Sequence, residues 1–122
     1  MKKILIVEDV EMNVELLLEL LEDDYDLVVA ADGGEGVEKA VTERPDLILM
    51  DMSLPVIDGY EATRRIRSNP ESANTVIIGL SAHAMSGDEA KALNAGCDAY
   101  LTKPLDDELL FDSLERFLVA TE

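Results

Sequence analysis

The fold class can be inferred from one short segment, Asp46-Leu47-Ile48-Leu49-Met50-Asp51-Met52-Ser53-Leu54-Pro55. Four consecutive apolar residues run into Asp51, and the chain starts to turn three residues later. A short apolar run bounded by polar and turn-forming residues is typical of a strand buried on both faces. Asp51 would then lie at the carboxyl end of that strand, which is the edge of an open α/β sheet where ligands bind. A carboxylate at this place could be a nucleophile, a metal ligand or a helix cap.

The rest of the chain alternates between apolar runs and segments of helical periodicity. Five strands alternating with five helices predict a parallel sheet covered by helices on both faces. The first, third and fourth strands are the most uniformly apolar and are predicted to be central, which is compatible with the doubly wound order 2-1-3-4-5. Besides the segment ending in Asp51, strands are predicted at 3–7, 25–31, 75–80 and 99–101, and helices at about 12–22, 33–44, 59–67, 87–95 and 106–119.

Local signals within the helices predict their ends and their faces. Asp32 with Glu35, and Ser86 with Glu89, have the spacing of capping boxes that open the second and fourth helices. The first helix is predicted to turn a row of leucines inward: Leu16, Leu17, Leu20 and Leu21. The third helix is predicted to be solvated on its arginine side: Arg64, Arg65 and Arg67.

Length and charge narrow the possible functions. The 122 residues suffice for one domain with a substantial core. The formal net charge of −17 argues against a nucleic-acid partner, because nucleic-acid binders concentrate Lys and Arg. The single cysteine, Cys97, excludes an internal disulfide, fits a reducing compartment and is expected to be a small, partly buried residue. Neither a membrane-spanning run nor a signal peptide is seen, so we expect a cytoplasmic protein without membrane contact.

Polar residues follow four of the predicted strands. Glu8 and Asp9 follow the first, Asp51 ends the third, Ser81 follows the fourth and Lys103 follows the fifth. In a parallel sheet these ends converge at one edge. Three crowded carboxylates repel each other, and Mg²⁺ with oxygen ligands would relieve that repulsion. A metal, a lysine and a carboxylate nucleophile together are equipment for phosphoryl transfer to a carboxylate.

Each of these residues alone has a plainer explanation. Glu8 and Asp9 could cap the first helix, Ser81 could be an ordinary loop hydroxyl, and Lys103 could be a solvated lysine before a proline. Tyr100 could simply pack on an edge strand. Their convergence at one edge favours a functional site.

The residues just described resemble those of response-regulator receiver domains of bacterial two-component systems, the CheY-like superfamily. The resemblance covers essentially the whole chain and implies one receiver domain over residues 1–122, without an output domain, with the flavodoxin-like (βα)5 fold. Its motifs are Ile4-Leu5-Ile6-Val7-Glu8-Asp9, Leu47 to Pro55 with Asp58-Gly59 behind it, Leu80-Ser81-Ala82 and Tyr100-Leu101-Thr102-Lys103-Pro104.

The resemblance also implies a chemistry. Asp51 would accept a phosphoryl group from the phosphohistidine of a sensor histidine kinase or a histidine phosphotransfer protein. Asp9, Asp51 and the backbone carbonyl of Ser53 would hold Mg²⁺, with Glu8 acting directly or through water. The protein would not be an enzyme beyond catalysing its own phosphorylation and dephosphorylation.

A switch would follow phosphorylation. Lys103 would pair with Asp51 before transfer and with the phosphoryl group after it, Ser81 would turn its hydroxyl to a phosphoryl oxygen, and Tyr100 would turn inward. The bond between Lys103 and Pro104 is often cis in the family. The face formed by the fourth helix, fifth strand and fifth helix would then bind a downstream protein, with the chain a monomer or a phosphorylation-linked dimer.

Some positions depart from the family pattern or leave other functions open. Glu8 and Ser81 stand where many members have Asp and Thr, and both changes should preserve function. His83 could tune water access to the acyl phosphate or be a plain surface residue. A phosphatase of the haloacid-dehalogenase type would need an aspartate where Ser53 stands. A flavin carrier would need a non-acidic loop where Glu8 and Asp9 stand.

Overall fold

The computed structural model describes residues 1–82 and 87–119, which form alternating strands and helices. In these ranges five parallel strands make one sheet in the order β2-β1-β3-β4-β5, so the predicted fold is confirmed. The strands are β1 (Lys3–Val7), β2 (Asp26–Ala30), β3 (Leu47–Asp51), β4 (Val76–Ser81) and β5 (Ala99–Thr102). The helices are α1 (Glu11–Leu21), α2 (Gly33–Thr42), α3 (Gly59–Ser68), α4 (Asp88–Ala95) and α5 (Asp107–Val119).

The core lies on both faces of the sheet, because successive strand side chains point to opposite sides. Ile4 and Ile6 of β1 pack with buried leucines of α1 and α5, whereas Leu5 and Val7 belong to the core that includes residues of α2, α3 and α4. All five residues of β3 are buried. Burial on both faces explains why the central strands are uninterrupted apolar runs.

Capping side chains fix the starts of α2, α3 and α5; at α5 the amide N–H of Glu108 donates to Asp106 Oδ1 at 2.9 Å. The amide N–H of Glu35 donates to Asp32 Oδ1 at 2.8 Å, and the amide N–H of Glu61 donates to Asp58 Oδ1 at 2.9 Å. The first of these confirms the predicted cap of α2. Gly87 precedes α4 and has φ +97°. The predicted capping residue Ser86 lies outside the described residues.

The prediction that Leu16 faces inward is wrong. Leu17 and Leu21, one turn apart, are buried, while Leu16 is 55% exposed. The buried stripe of α1 is therefore narrower than its row of leucines, because the helix contacts the sheet along one line of side chains.

The prediction that Arg67 is solvated is also wrong. Its Nε donates to the carbonyl of Gly96 at 2.9 Å, and its Nη1 donates to the carbonyls of Ala73 and Thr75 at 2.8 and 2.5 Å. Its Nη2 contacts Asp98 Oδ2 at 2.8 Å. The guanidinium turns back to satisfy loop carbonyls that no helix or strand pairs.

Cys97 is buried, with 6% of its surface exposed, which is deeper than the partly buried position predicted. Burial raises the pKa of its thiol.

In the described part of the chain, no helix combines the length and apolar character needed to cross a membrane.

Candidate functional site

The structure brings the predicted site residues to the carboxyl edge of the sheet. Glu8 follows β1, Asp51 ends β3 and Ser81 ends β4, and these three strands are neighbours. Lys103 follows β5, and its backbone N–H donates to the carbonyl of Ser81 at 2.7 Å. The convergence inferred from the sequence is therefore observed.

Three carboxyl groups form a cluster at this edge. One oxygen each from Glu8, Asp9 and Asp51 lies within 4.8 Å of the others. Glu8 and Asp51 are 1% and 4% exposed, whereas Asp9 is exposed. Burial raises the pKa of Glu8; a hydrogen bond from Lys103 opposes this rise, and the neighbouring Asp51 adds to it. An all-oxygen set with one open side fits a hard divalent cation such as Mg²⁺.

Lys103 supplies the positive charge of the cluster. Its Nζ lies 2.6 Å from Glu8 Oε1 and 3.3 Å from Asp51 Oδ2. Burial by itself lowers the pKa of this ammonium, but the contacts with Glu8 and Asp51 outweigh burial and raise it. Lys103 is therefore charged and offsets part of the repulsion between the two buried carboxylates.

The carboxylate of Glu8 has further partners that sequence reasoning missed. The N–H of Val10 donates to Glu8 Oε2 at 3.1 Å, and Asn13 Nδ2 donates to Oε1 at 3.4 Å. The only sequence signal for this arrangement is the extra methylene of glutamate at a position where aspartate is common in the family.

The loop after β3 orients Asp51. The N–H of Ser53 donates to Asp51 Oδ1 at 3.0 Å. Gly59 packs so closely on this segment that a Cβ there would lie 2.3 Å from the carbonyl oxygen of Asp51 and 2.6 Å from the Cα of Met52. The glycine at the start of α3 therefore lets the helix approach the backbone of Asp51 and Met52.

The remaining predicted residues lie on β4 and β5 or directly after β5. Ser81 is 3% exposed and pairs in register with Thr102, while Tyr100 is half-buried against the core that includes α2, α3 and α4. The peptide bond between Lys103 and Pro104 is cis, as the resemblance implied. His83 lies outside the described residues, so its predicted roles stay open.

An apolar cavity of about 220 Å³ adjoins the cluster. Leu16, Leu17, Pro104 and Leu105 line it together with Glu8, Asn13 and Lys103. The exposed Leu16 is thus part of a hollow beside the site.

Residues 4–115 match the family model described as response regulator receiver domain. Among curated proteins, the chain is 36% identical over 118 residues to the polar-differentiation response regulator DivK of Brucella anthropi, covering 96% of each chain.

Solved structures agree with the family match. The receiver domain of a sensor histidine kinase from Pseudomonas aeruginosa, with a magnesium ion coordinated in its active-site cleft, is 40% identical with a TM-score of 0.88, and the match covers 95% of this chain and 96% of that one. A Saccharomyces cerevisiae response-regulator receiver domain, co-crystallised with a histidine phosphotransfer protein, is 30% identical with a TM-score of 0.89, and the match covers 98% and 90% of the two chains.

Proposed function

Because this chain belongs to the response regulator receiver domain family of two-component signal transduction, we propose that it accepts a phosphoryl group from a phosphohistidine onto Asp51. One observation carries the proposal. The carboxylate of Asp51 is 4% exposed at the carboxyl edge of the sheet, within 3.3 Å of the Lys103 ammonium and inside a three-carboxylate cluster. A structural aspartate would not need this combination of a cation and two further carboxylates.

In the proposed step, an oxygen of Asp51 attacks phosphorus. A new O–P bond forms while the P–N bond to the donor imidazole breaks, and the imidazole nitrogen leaves with the bonding electron pair. The bond from the Ser53 N–H holds one carboxylate oxygen in place, and Lys103 attracts the charge that develops on the phosphoryl oxygens. The product is an acyl phosphate.

The carboxylate cluster also supports a Mg²⁺ cofactor. Asp9, Asp51 and the backbone carbonyl of Ser53 would hold the ion, and Glu8 lies near enough to act through a bound water. A bound magnesium ion would neutralise part of the negative charge on the phosphoryl group. The magnesium-bearing relative has such an ion in its own cleft.

Phosphorylation would act as a switch. It adds roughly −1.5 to −2 charge and new acceptor oxygens at one point. Ser81 and Lys103 would contact those oxygens in one of two arrangements, and Tyr100 would follow by turning inward. The equilibrium between these arrangements would control binding of a downstream protein to the face made by α4, β5 and α5.

This switch can be tested through Ser81. Ser81→Ala keeps Asp51 and the carboxylate cluster but removes the hydroxyl. We expect phosphorylation to proceed while the gain in affinity for the downstream partner falls by about tenfold, equivalent to roughly 1.4 kcal/mol. Titration of the partner with phosphorylated protein measures it. Fully phosphorylation-dependent binding in the variant would refute the hydroxyl-coupled switch.

The donor would be a sensor histidine kinase or a histidine phosphotransfer protein, as in the yeast co-crystal relative. We propose that the chain works in the cytoplasm, as a monomer or a phosphorylation-linked dimer, and turns over no substrate besides its own acyl phosphate. Absence of turnover on small phosphate esters would support this over a phosphatase.

The function is tested by intact-protein mass after incubation with acetyl phosphate, with and without Mg²⁺. We expect one phosphate adduct that requires Mg²⁺ and is absent in Asp51→Asn. An adduct of equal yield in the variant would overturn the assignment of Asp51. If acetyl phosphate gives no adduct, the same comparison is repeated with a phosphorylated histidine protein as donor, and failure there would overturn the proposed function.

A further inference from the structure

Helix α4 is held at its C-terminal end by Arg67 of α3. The Nε of Arg67 donates to the carbonyl of Gly96 at 2.9 Å, and its Nη2 contacts Asp98 Oδ2 at 2.8 Å. The same carboxylate oxygen accepts the N–H of Ile77 in β4 at 2.9 Å. A Cβ on Gly96 would lie only 2.7 Å from Arg67 Cγ, so the two segments are in close contact. The end of α4 is therefore fixed both to α3 and to the sheet.

The N-terminal end of α4 lacks such an attachment at its cap. Gly87 precedes the helix with φ +97°, and a Cβ there would meet no heavy atom of the described residues within 4 Å. The first helical hydrogen bond runs from the N–H of Lys91 to the carbonyl of Gly87 at 2.9 Å. Because glycine adopts a wide range of φ, the backbone at this end can turn more easily than at the end held by Arg67.

Lys91 ties this end of α4 to α3 instead. Its Nζ lies 4.2 Å from the centroid of the Tyr60 ring, within the range of a cation–π contact. Lys91 is the one basic residue of α4, and among the described residues it forms no salt bridge. In a protein with 27 acidic residues, an ammonium that contacts a ring rather than a carboxylate indicates a specific tie between the two helices.

Tyr60 lies close to Tyr100, the residue expected to turn inward. Both rings are half-buried and pack against the core that includes residues of α2, α3 and α4. Burial raises the pKa of the Tyr60 phenol, and the nearby Asp88 and Tyr100 add to the rise. A turn of Tyr100 toward the core would therefore change the packing around the ring that Lys91 contacts.

We propose that Lys91 and Tyr60 form a latch that holds the first turn of α4 against α3, and that α4 pivots about the end held by Arg67 when this latch opens. Since α4 belongs to the proposed partner face, an open latch changes that face. The link between the latch and phosphorylation rests on the proposed function, because Tyr100 is expected to turn when Asp51 carries a phosphoryl group. The latch itself does not depend on that function.

The test measures amide hydrogen exchange by NMR on unphosphorylated protein. The amides of Ala92 and Leu93, corrected for intrinsic exchange rates, report opening at the first turns of α4. The Asp98 N–H, which donates to the carbonyl of Ile77 at 2.7 Å, reports the fixed end. The amides of β3 report opening of the whole molecule.

The variants separate the latch from simple charge effects. Lys91→Met, Tyr60→Leu and the double variant remove the contact, whereas Lys91→Arg and Tyr60→Phe keep a cation over a ring. Arg116→Met is the matched control, because it removes one positive charge from the similar contact with the Phe117 ring in α5, at 5.0 Å.

We expect Lys91→Met and Tyr60→Leu each to speed exchange at Ala92 and Leu93 about two- to fivefold relative to β3, as loss of an exposed cation–π contact implies. The Asp98 amide should change by less than about 1.5-fold, and the double variant should match the single ones because both break the same contact. Lys91→Arg, Tyr60→Phe and Arg116→Met should exchange like the wild type.

Three results would overturn the proposal. The first is multiplication of the two effects in the double variant, since Lys91 and Tyr60 would then act independently. The second is equal acceleration of α4 exchange in Arg116→Met, and the third is equal acceleration at Asp98 or in β3, since opening would then not be confined to the first turns of α4.

The link to the switch has its own reading. In protein phosphorylated with acetyl phosphate and Mg²⁺, the wild type should exchange at Ala92 and Leu93 as fast as Lys91→Met does. A difference that persists would overturn the link between latch and phosphorylation. Failure to phosphorylate would count against the proposed function alone, because the exchange rates of the unphosphorylated variants would still decide whether the latch exists.

Discussion

Arg67 shows how much one side chain can hold together in this fold. Its guanidinium bridges α3, the loop before β4 and the turn before β5 through the carbonyls of Ala73, Thr75 and Gly96. We expect Arg67→Met to lower the free energy of unfolding by about 3 kcal/mol, because partly buried carbonyls lose a charged donor. Urea denaturation measures the change.

Arg64, on the same helix, is the matched control. Its side chain is 54% exposed, and among the residues that the structure describes it pairs only with Glu61 of its own helix, at 3.2 Å. Arg64→Met should change the free energy of unfolding by less than about 0.5 kcal/mol. If Arg67→Met and Arg64→Met lowered the free energy of unfolding equally, the role assigned to the Arg67 guanidinium would be contradicted.

The location of a site residue could be predicted from the sequence where it depends only on the position of its backbone in the sheet. Asp51 and Ser81 follow from strand ends, because every strand of a parallel sheet ends at the same edge. The roles of Arg67 and of the Glu8–Lys103 pair were not predictable, since the reach of a long side chain depends on which loop carbonyls and charges tertiary packing brings near. Leu16 was mispredicted for a similar reason. Helical spacing shows which side of α1 faces the sheet, but it does not show how wide the buried stripe on that side is.

Helix α2 offers a contrast between two glycines. A Cβ on Gly36 would lie 2.9 Å from both Cγ atoms of Val7 in the buried β1, whereas a Cβ on Gly34 would meet nothing nearer than Asp32 Oδ1 at 3.4 Å. We expect Gly34→Ala to stabilise by about 0.5–1 kcal/mol through helix propensity. Gly36→Ala should destabilise by roughly 1–3 kcal/mol through overpacking.

Thermal denaturation of the two glycine variants measures whether each substitution stabilises or destabilises the protein. Stabilisation by Gly36→Ala would mean that α2 can move away from the sheet, in contradiction to the close packing described.

The type and order of the elements followed well from the sequence, because each strand is a short apolar run and each helix has a 3.6-residue period. The end of α4 at Gly96 was predicted, because glycine readily adopts the positive φ that follows many helices, whereas its start after Gly87, with φ +97°, was not.

The charge of the whole molecule should make its stability depend on salt. A net charge of −17 on 122 residues implies self-repulsion in the compact state. Raising NaCl from about 10 to 150 mM shortens the screening length from roughly 30 to 8 Å. We expect Tm to rise by about 4 °C, equivalent to roughly 1 kcal/mol.

Magnesium should act beyond this general screening. At equal ionic strength, Mg²⁺ should raise the Tm of the wild type more than NaCl does, and this excess should vanish in Asp9→Asn because the open carboxylate of the cluster is lost. Differential scanning fluorimetry measures the Tm of the wild type and of Asp9→Asn in each salt. An excess that persists in the variant would place the bound cation elsewhere on the acidic surface.

The sheet order needed more than the apolar pattern. Their uniformly apolar sequences predicted β1, β3 and β4 to be central, and the structure confirms this, but the pattern alone was only compatible with the order 2-1-3-4-5. The placement of acidic and basic residues at one edge then followed from the parallel sheet. The pairing of charges within that edge required the structure.

The most direct test of the phosphoryl-acceptor function locates the phosphoryl group itself. Protein treated with a phosphodonor and Mg²⁺ is reduced with borohydride, which converts an aspartyl phosphate to homoserine, and is then sequenced by tandem mass spectrometry. The function predicts homoserine at position 51 in place of Asp51, and none at Glu8 or Asp9. A phosphate adduct on the intact protein with unmodified Asp51, or reduction at another residue, would contradict it.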